Sequence, residues 1–122
     1  MGSFNQILDD NASCRDIFEY FFDLSPADVS VLYSLANKKG ESLESIASIM
    51  KKERTAVFRS LQRLVSTGLV IKKKNILKKG GYYYVYLRIS PPKITELVKI
   101  RENEFHSALV SLLKDIENDF KN

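Results

Sequence analysis

Ten basic side chains fall within thirty residues of this 122-residue chain: Lys51, Lys52, Arg54, Arg59, Arg63, Lys72, Lys73, Lys74, Lys78 and Lys79. Only Glu53 opposes them, so residues 51–80 carry +9 while the whole chain carries +4. Residues 1–50 hold a net −5, and residues 81–122 balance to zero. A charge run can be no more than a solvated face. Gathering the whole basic excess into one middle segment points instead to a polyanionic partner. The residue types suit that partner. Arginine can donate twice to the edge of guanine, glutamine can pair twice with adenine, and lysine meets phosphate as a point charge.

Other chemistry is thin. His106 is the only histidine and sits beside Phe105 in a helical pattern, which suits a surface or interface position better than a general base. Cys14 is the only cysteine, so neither an internal disulfide nor a cysteine metal cage is available. Its aromatic-rich surroundings predict a buried, inert thiol. Gly80-Gly81 is one glycine pair in a hairpin rather than a phosphate-binding loop, and Asp9-Asp10 reads as a helix cap. No catalytic constellation emerges, so neither an enzyme nor a cofactor or metal is expected.

Composition frames these residues. With 44% apolar and 28% charged residues, the chain is that of one globular domain. The longest uncharged stretches, Val29 to Asn37 among them, are nine residues, short of the roughly 20 a membrane helix needs. No basic start leads into an apolar run like a secretory signal. A cytoplasmic protein without a membrane partner is the expectation.

The elements that must position the basic groups follow from pattern. A first helix is predicted from Asp9 to Asp23, with Phe18, Phe21 and Phe22 on a broad apolar surface. Ser25-Pro26-Ala27-Asp28 opens a second helix, capped by Ser25 and ending near Gly40. Ser42-Leu43-Glu44-Ser45 starts a short third helix, and Lys51-Lys52 interrupts it. A further helix spans about Glu53 to Thr67, its inward stripe Val57, Leu61, Leu64 and Val65, with Gly68 at its end. Two short helices joined by a tight polar turn, the second with a basic face, make a helix-turn-helix. Leu69-Val70-Ile71 then reads as a short strand fading into Lys72-Lys73-Lys74, and Tyr82 to Ile89 as its partner. A hairpin with a basic, glycine-containing tip beside a helix-turn-helix is a wing. Ser90-Pro91-Pro92 opens a long final helix carrying Phe105, Leu109, Leu112, Ile116 and Phe120. The fold class is mainly α with a small β-hairpin (α+β).

The stretch LSPADVSVLYSLANKKGESLESIASIMKKERTAVFRSLQRLVSTGLV, followed by the lysine-rich hairpin, resembles the winged helix-turn-helix regulators of MarR and TrmB type, especially small archaeal members. The likeness covers about residues 24–90. It implies a dimeric transcription regulator whose second motif helix enters the major groove. Unlike larger sugar-sensing relatives, no separate effector domain follows the wing, and the sequence names no effector.

The residues support the same mechanism. Arg54, Thr55, Arg59 and Gln62 share the face opposite Val57, Leu61 and Leu64 and are the candidates for base edges. Lys51, Lys52 and Arg63 are assigned to phosphate, and Lys72, Lys73, Lys74, Lys78 and Lys79 to the backbone or adjacent minor groove. Phe58 is given to packing at the core edge ahead of a thymine methyl. The proposed divisions are an N-terminal helix in 1–24, a DNA-binding unit in 25–90 and a C-terminal dimerisation helix in 91–122. Phe18, Phe21, Phe22, Phe105, Leu109, Leu112, Ile116 and Phe120 supply the expected homodimer face; the alternative is a final helix folded back on its own domain. The rival function is a winged-helix protein-interaction module of the transcription machinery, which does not read DNA sequence. The acid-free face after Glu53 argues for DNA.

Overall fold

A computed structural model of the chain describes residues 4–36 and 38–121. The elements are α1 (Phe4–Leu8), α2 (Cys14–Phe22), α3 (Pro26–Ser34), α4 (Leu43–Met50), α5 (Arg54–Thr67), β1 (Val70–Ile76), β2 (Tyr82–Arg88) and α6 (Pro91–Asp119). The α+β class, and the order of elements from α2 onward, are those the sequence predicts.

Local capping explains most boundaries. At α3 the Ser25 hydroxyl accepts from the Asp28 amide at 3.1 Å, and the Asp28 carboxylate accepts from the Ser25 amide at 3.1 Å. Pro26 occupies the first turn, where its missing N–H costs little. The predicted first helix is shortened to α2, its residues 9–13 form a turn, and the short α1 ahead of it is unexpected. The Ser13 amide donates to Asp16 Oδ2 at 2.8 Å and starts α2 afresh at Cys14, while Asp9 Oδ1 accepts from the Asn11 amide in the turn before it. The second helix ends at Ser34 rather than near Gly40. Its onward chain is drawn to the hairpin, where the Arg88 amide donates to Ala36 O at 3.0 Å and Arg88 Nε to Leu35 O at 3.1 Å.

The wing is also longer than predicted. β1 and β2 pair antiparallel from Val70↔Arg88 to Ile76↔Tyr82, so Lys72, Lys73 and Lys74 lie inside the ladder. Glu41 adds a single bridge to the outer edge of β2, exchanging backbone hydrogen bonds of 2.9 and 2.8 Å with Tyr86. Gly40 makes that approach possible, because a Cβ there would sit 2.5 Å from Val85 Cγ2.

One core holds these parts together. Leu24, Val29, Leu32, Ile46, Val57, Leu61, Leu64 and Leu69 are all nearly inaccessible. Phe18 and Phe22 belong to it as well, which corrects their assignment to a dimer face. Their rings are already covered by their own chain, and Phe21 is partly buried against the same core. Ile94, Leu97 and Val98 on the first turns of α6 pack there too, and Arg101 Nε donates to Phe21 O at 3.0 Å. Beyond Arg101 every described residue of α6 is exposed. At 29 residues and about 1.5 Å per residue the helix is about 43 Å long, and the core covers only its beginning.

Candidate nucleic-acid interface

The turn between α4 and α5 is set by backbone hydrogen bonds. Lys51 closes α4 in the left-handed conformation (φ 54°), and the Lys52 amide donates to Ala47 O at 3.0 Å. This turn buries Ile46 and Ala47 on one side and Val57, Leu61 and Leu64 on the other. The opposite face of α5 is left in solvent. Arg54, Thr55, Arg59 and Gln62 all lie on it, as expected, and Lys51 and Lys52 are exposed at its N-terminal end. Phe58, given to packing from the sequence, is instead 37% exposed on this face. It stands between Arg54 and Thr55 on one side and Gln62 with Lys72 on the other.

Two arginines of α5 are ion-paired with carboxylates. Arg54 donates to Glu44 Oε1 at 2.7 Å in an ion pair whose members are both largely exposed. Such a pair is worth about 0–1 kcal/mol and yields readily to a competing anion. Arg63 is different, and its assignment to phosphate is corrected. Its Nε and Nη2 donate to Asp28 Oδ2 and Oδ1 at 2.9 and 2.8 Å, a two-pronged bond that ties α5 to the start of α3. Ser60 Oγ donates to the same carboxylate at 2.6 Å. Burial alone would raise the Asp28 pKa. The bonds from Arg63, Ser60 and the Ser25 amide outweigh it, and hold the group down at about 2 from its ordinary 3.8.

In the sequence, Asp28 is legible only as part of the Ser25-Pro26-Ala27-Asp28 helix start. Ser60 and Arg63, three residues apart on α5, were the available signal that this helix also had a polar inward contact. Glu44 was likewise missed as a partner, because the approach of α4 to Arg54 depends on the turn angle.

The wing carries the remaining cations. Lys78 and Lys79 are exposed at the tip, between the ends of β1 and β2, and Gly80 and Gly81 take positive φ there (93° and 85°). The three strand lysines do not act as one group. Lys72 and Lys74 share a face with Tyr82, Tyr84 and Tyr86, and Lys73 lies on the other. Cys14, expected to be buried, is exposed. Among the described residues no cluster of histidine, cysteine and carboxylate could hold a metal ion, and no helix is long and apolar enough to cross a membrane.

Two short helices across a tight turn, a solvent-facing basic helix and a lysine-bearing hairpin beside it define a winged helix-turn-helix of the kind found in DNA-binding regulators. Residues 18–93 match the family described as the sugar-specific transcriptional regulator TrmB, and the chain belongs to that family. It is a DNA-binding transcriptional regulator. The uncharacterized protein MJ1503 of Methanocaldococcus jannaschii is 28% identical over 96 residues, covering 79% of this chain and 73% of that one. The possible transcriptional regulator from Methanosarcina mazei Go1 shares the fold with a TM-score of 0.73 at 20% identity, over 93% of this chain and 96% of that chain. The ST1889 protein from the archaeon Sulfolobus tokodaii gives a TM-score of 0.61 at 26% identity, over 78% and 93% of the two chains.

Proposed function

We propose that this regulator binds double-stranded DNA sequence-specifically as a homodimer, with α5 in the major groove and the wing on the backbone or in the adjacent minor groove. The observation that carries the reading is the solvent face of α5. Arg54, Thr55, Arg59 and Gln62 are all exposed along it, and it runs through Phe58 and Gln62 to Lys72 at the base of the wing. Groups able to read base edges thus adjoin groups able to neutralise phosphate. Residues 25–90 form the DNA-binding unit in this reading, with α2 packed on it. Residues 91–122 provide the dimer helix, through Phe105, Leu109, Leu112, Ile116 and Phe120. A two-fold pair would present its recognition helices about 34 Å apart, one turn of DNA.

The experiment is a gel shift against genomic fragments at varied salt, with selection of bound sequences, on the intact chain and Arg59→Ala. With about 6–10 phosphate contacts per dimer, affinity falls about 10³–10⁵-fold between 50 and 200 mM salt. Arg59→Ala costs about 1–3 kcal/mol on the selected site and relaxes preference at one base position. Binding that ignores salt would defeat the DNA reading, and an Arg59→Ala loss equal on all sequences would defeat the reading of α5 as the base reader.

A further inference from the structure

The side chains of Tyr82 and Tyr84 have no part in the contacts described so far, yet they are arranged with the lysines in a regular way. On the face shared by Lys72, Lys74 and Ile76 with Tyr86, Tyr84 and Tyr82, each lysine reaches diagonally toward the tip. Lys72 Nζ lies 4.2 Å from the centre of the Tyr84 ring, and Lys74 Nζ lies 4.1 Å from that of Tyr82. The two rings meet edge to face at 5.5 Å. Tyr82 and Tyr84 are 56% and 39% exposed, so the core does not account for them. Tyr86, the innermost of the three, is buried, and with Lys72 it lines the same groove as Phe58 and Gln62 of α5. The row therefore begins at the recognition helix and runs out along the wing.

An ammonium within about 6 Å of a ring centre is attracted to the ring's negative face. A lysine held this way has given up much of its rotamer freedom before any phosphate arrives, and so loses less of it on binding. Alternate residues of a strand are about 6.8 Å apart, far enough for two ammoniums to serve separate phosphates. The same geometry disfavours a base-stacking role, which needs open ring faces; here an ammonium covers one face of each ring and the two rings meet edge to face.

We infer that Tyr82 and Tyr84 are positioning residues for DNA binding, holding Lys72 and Lys74 as a preorganised row of cations for the phosphate backbone. The inference rests on the DNA-binding reading above and adds residues that carry no charge themselves.

The test uses the full chain, Tyr82→Leu/Tyr84→Leu and Tyr82→Phe/Tyr84→Phe, with NMR of lysine side-chain methylenes and titration against duplex and single-stranded DNA. In the free wild-type protein, the Lys72 and Lys74 methylenes shift upfield relative to those of Lys73. The leucine variant loses this shift and binds duplexes of every sequence about three- to tenfold more weakly, although its net charge is unchanged. The phenylalanine variant keeps both the shift and the affinity. Several results would overturn the inference: no upfield shift in the wild type, equal duplex affinity for the leucine variant, or a phenylalanine variant as weak as leucine, which would put the effect on the hydroxyls. Loss confined to single-stranded DNA would also overturn it, as a stacking platform. A wild type that shows the shift but binds no duplex at low salt defeats the DNA reading itself, which is a separate result.

Discussion

At the scale of single residues, Asp28 has the most consequential position in the molecule. One carboxylate caps α3, accepts from Ser60 and holds Arg63 by two bonds, so α5 is fastened to the scaffold at a buried point. Its pKa lies at about 2 in the folded chain against an ordinary 3.8. A depressed carboxyl stabilises the fold fully above its unfolded value, and that contribution disappears as pH falls through the folded value. About 2 kcal/mol of stability is therefore expected to be lost between pH 4 and pH 2 through this group. Asp28→Asn should be destabilised already at neutral pH, by roughly 2–3 kcal/mol, because Arg63 loses its ionic partner. The variant should then lack this part of the acid dependence. Urea melts across that range, compared between the two chains, measure it directly. Parallel loss in both would remove Asp28 from this role.

At the scale of elements, the wing is fixed to the body through its outer edge as well as through β1. The Glu41–Tyr86 bridge needs the chain at Gly40 to pass against the buried Val85 side chain. Gly40→Ala would put a methyl group 2.5 Å from Val85 Cγ2 and 2.7 Å from its Cβ. Neither the strand nor a buried β-branched side chain can move aside cheaply, so a cost of about 1–3 kcal/mol is expected. The check is a denaturant melt together with hydrogen exchange at the Glu41 and Tyr86 amides. These amides should lose protection before those within α5. An unchanged midpoint would mean that the close approach is easily relaxed.

For the molecule as a whole, the unanswered apolar surface is the outer part of α6. Phe105 is 50% exposed, Leu112 62% and Phe120 81%, with Leu109, Leu113 and Ile116 between them. Burying a large apolar side chain is worth about 1.5–3 kcal/mol, so a single chain in water would hold this stripe at considerable cost. The homodimer proposed above covers it. Sedimentation of the intact chain should give a dimer at micromolar concentration. A chain ending at Glu102 keeps the packing of Ile94, Leu97 and Val98 and the Arg101 bond to Phe21. It should remain folded as a monomer and lose preference for palindromic sites. A monomeric intact chain, or a shortened chain that still dimerises, would take the clasp away from α6.

The sequence alone determined the order of elements from α2 onward, the core stripe of α5 and the basic segment between residues 51 and 80. Those features are local: helical period, capping residues such as Ser25 and Asp28, and charge spacing act within a few neighbouring positions. Only the tertiary structure decided which partners these residues take. Arg63 and Arg59 are both arginines of one helix, and they differ because Arg63 faces a carboxylate 35 positions away in the chain. Phe18 and Phe105 both belong to aromatic helical stripes, and only the packing of α2 against the core buries the first while leaving the second in solvent. The three consecutive lysines were separated by the ladder β1 forms with β2, which runs on through Ile76 and places Lys72 and Lys74 on one face and Lys73 on the other. Composition fixed the kind of partner, because net charge in a segment is a property of the chain. Which cations remain available to it depends on contacts between elements distant in sequence, and these no local pattern encodes.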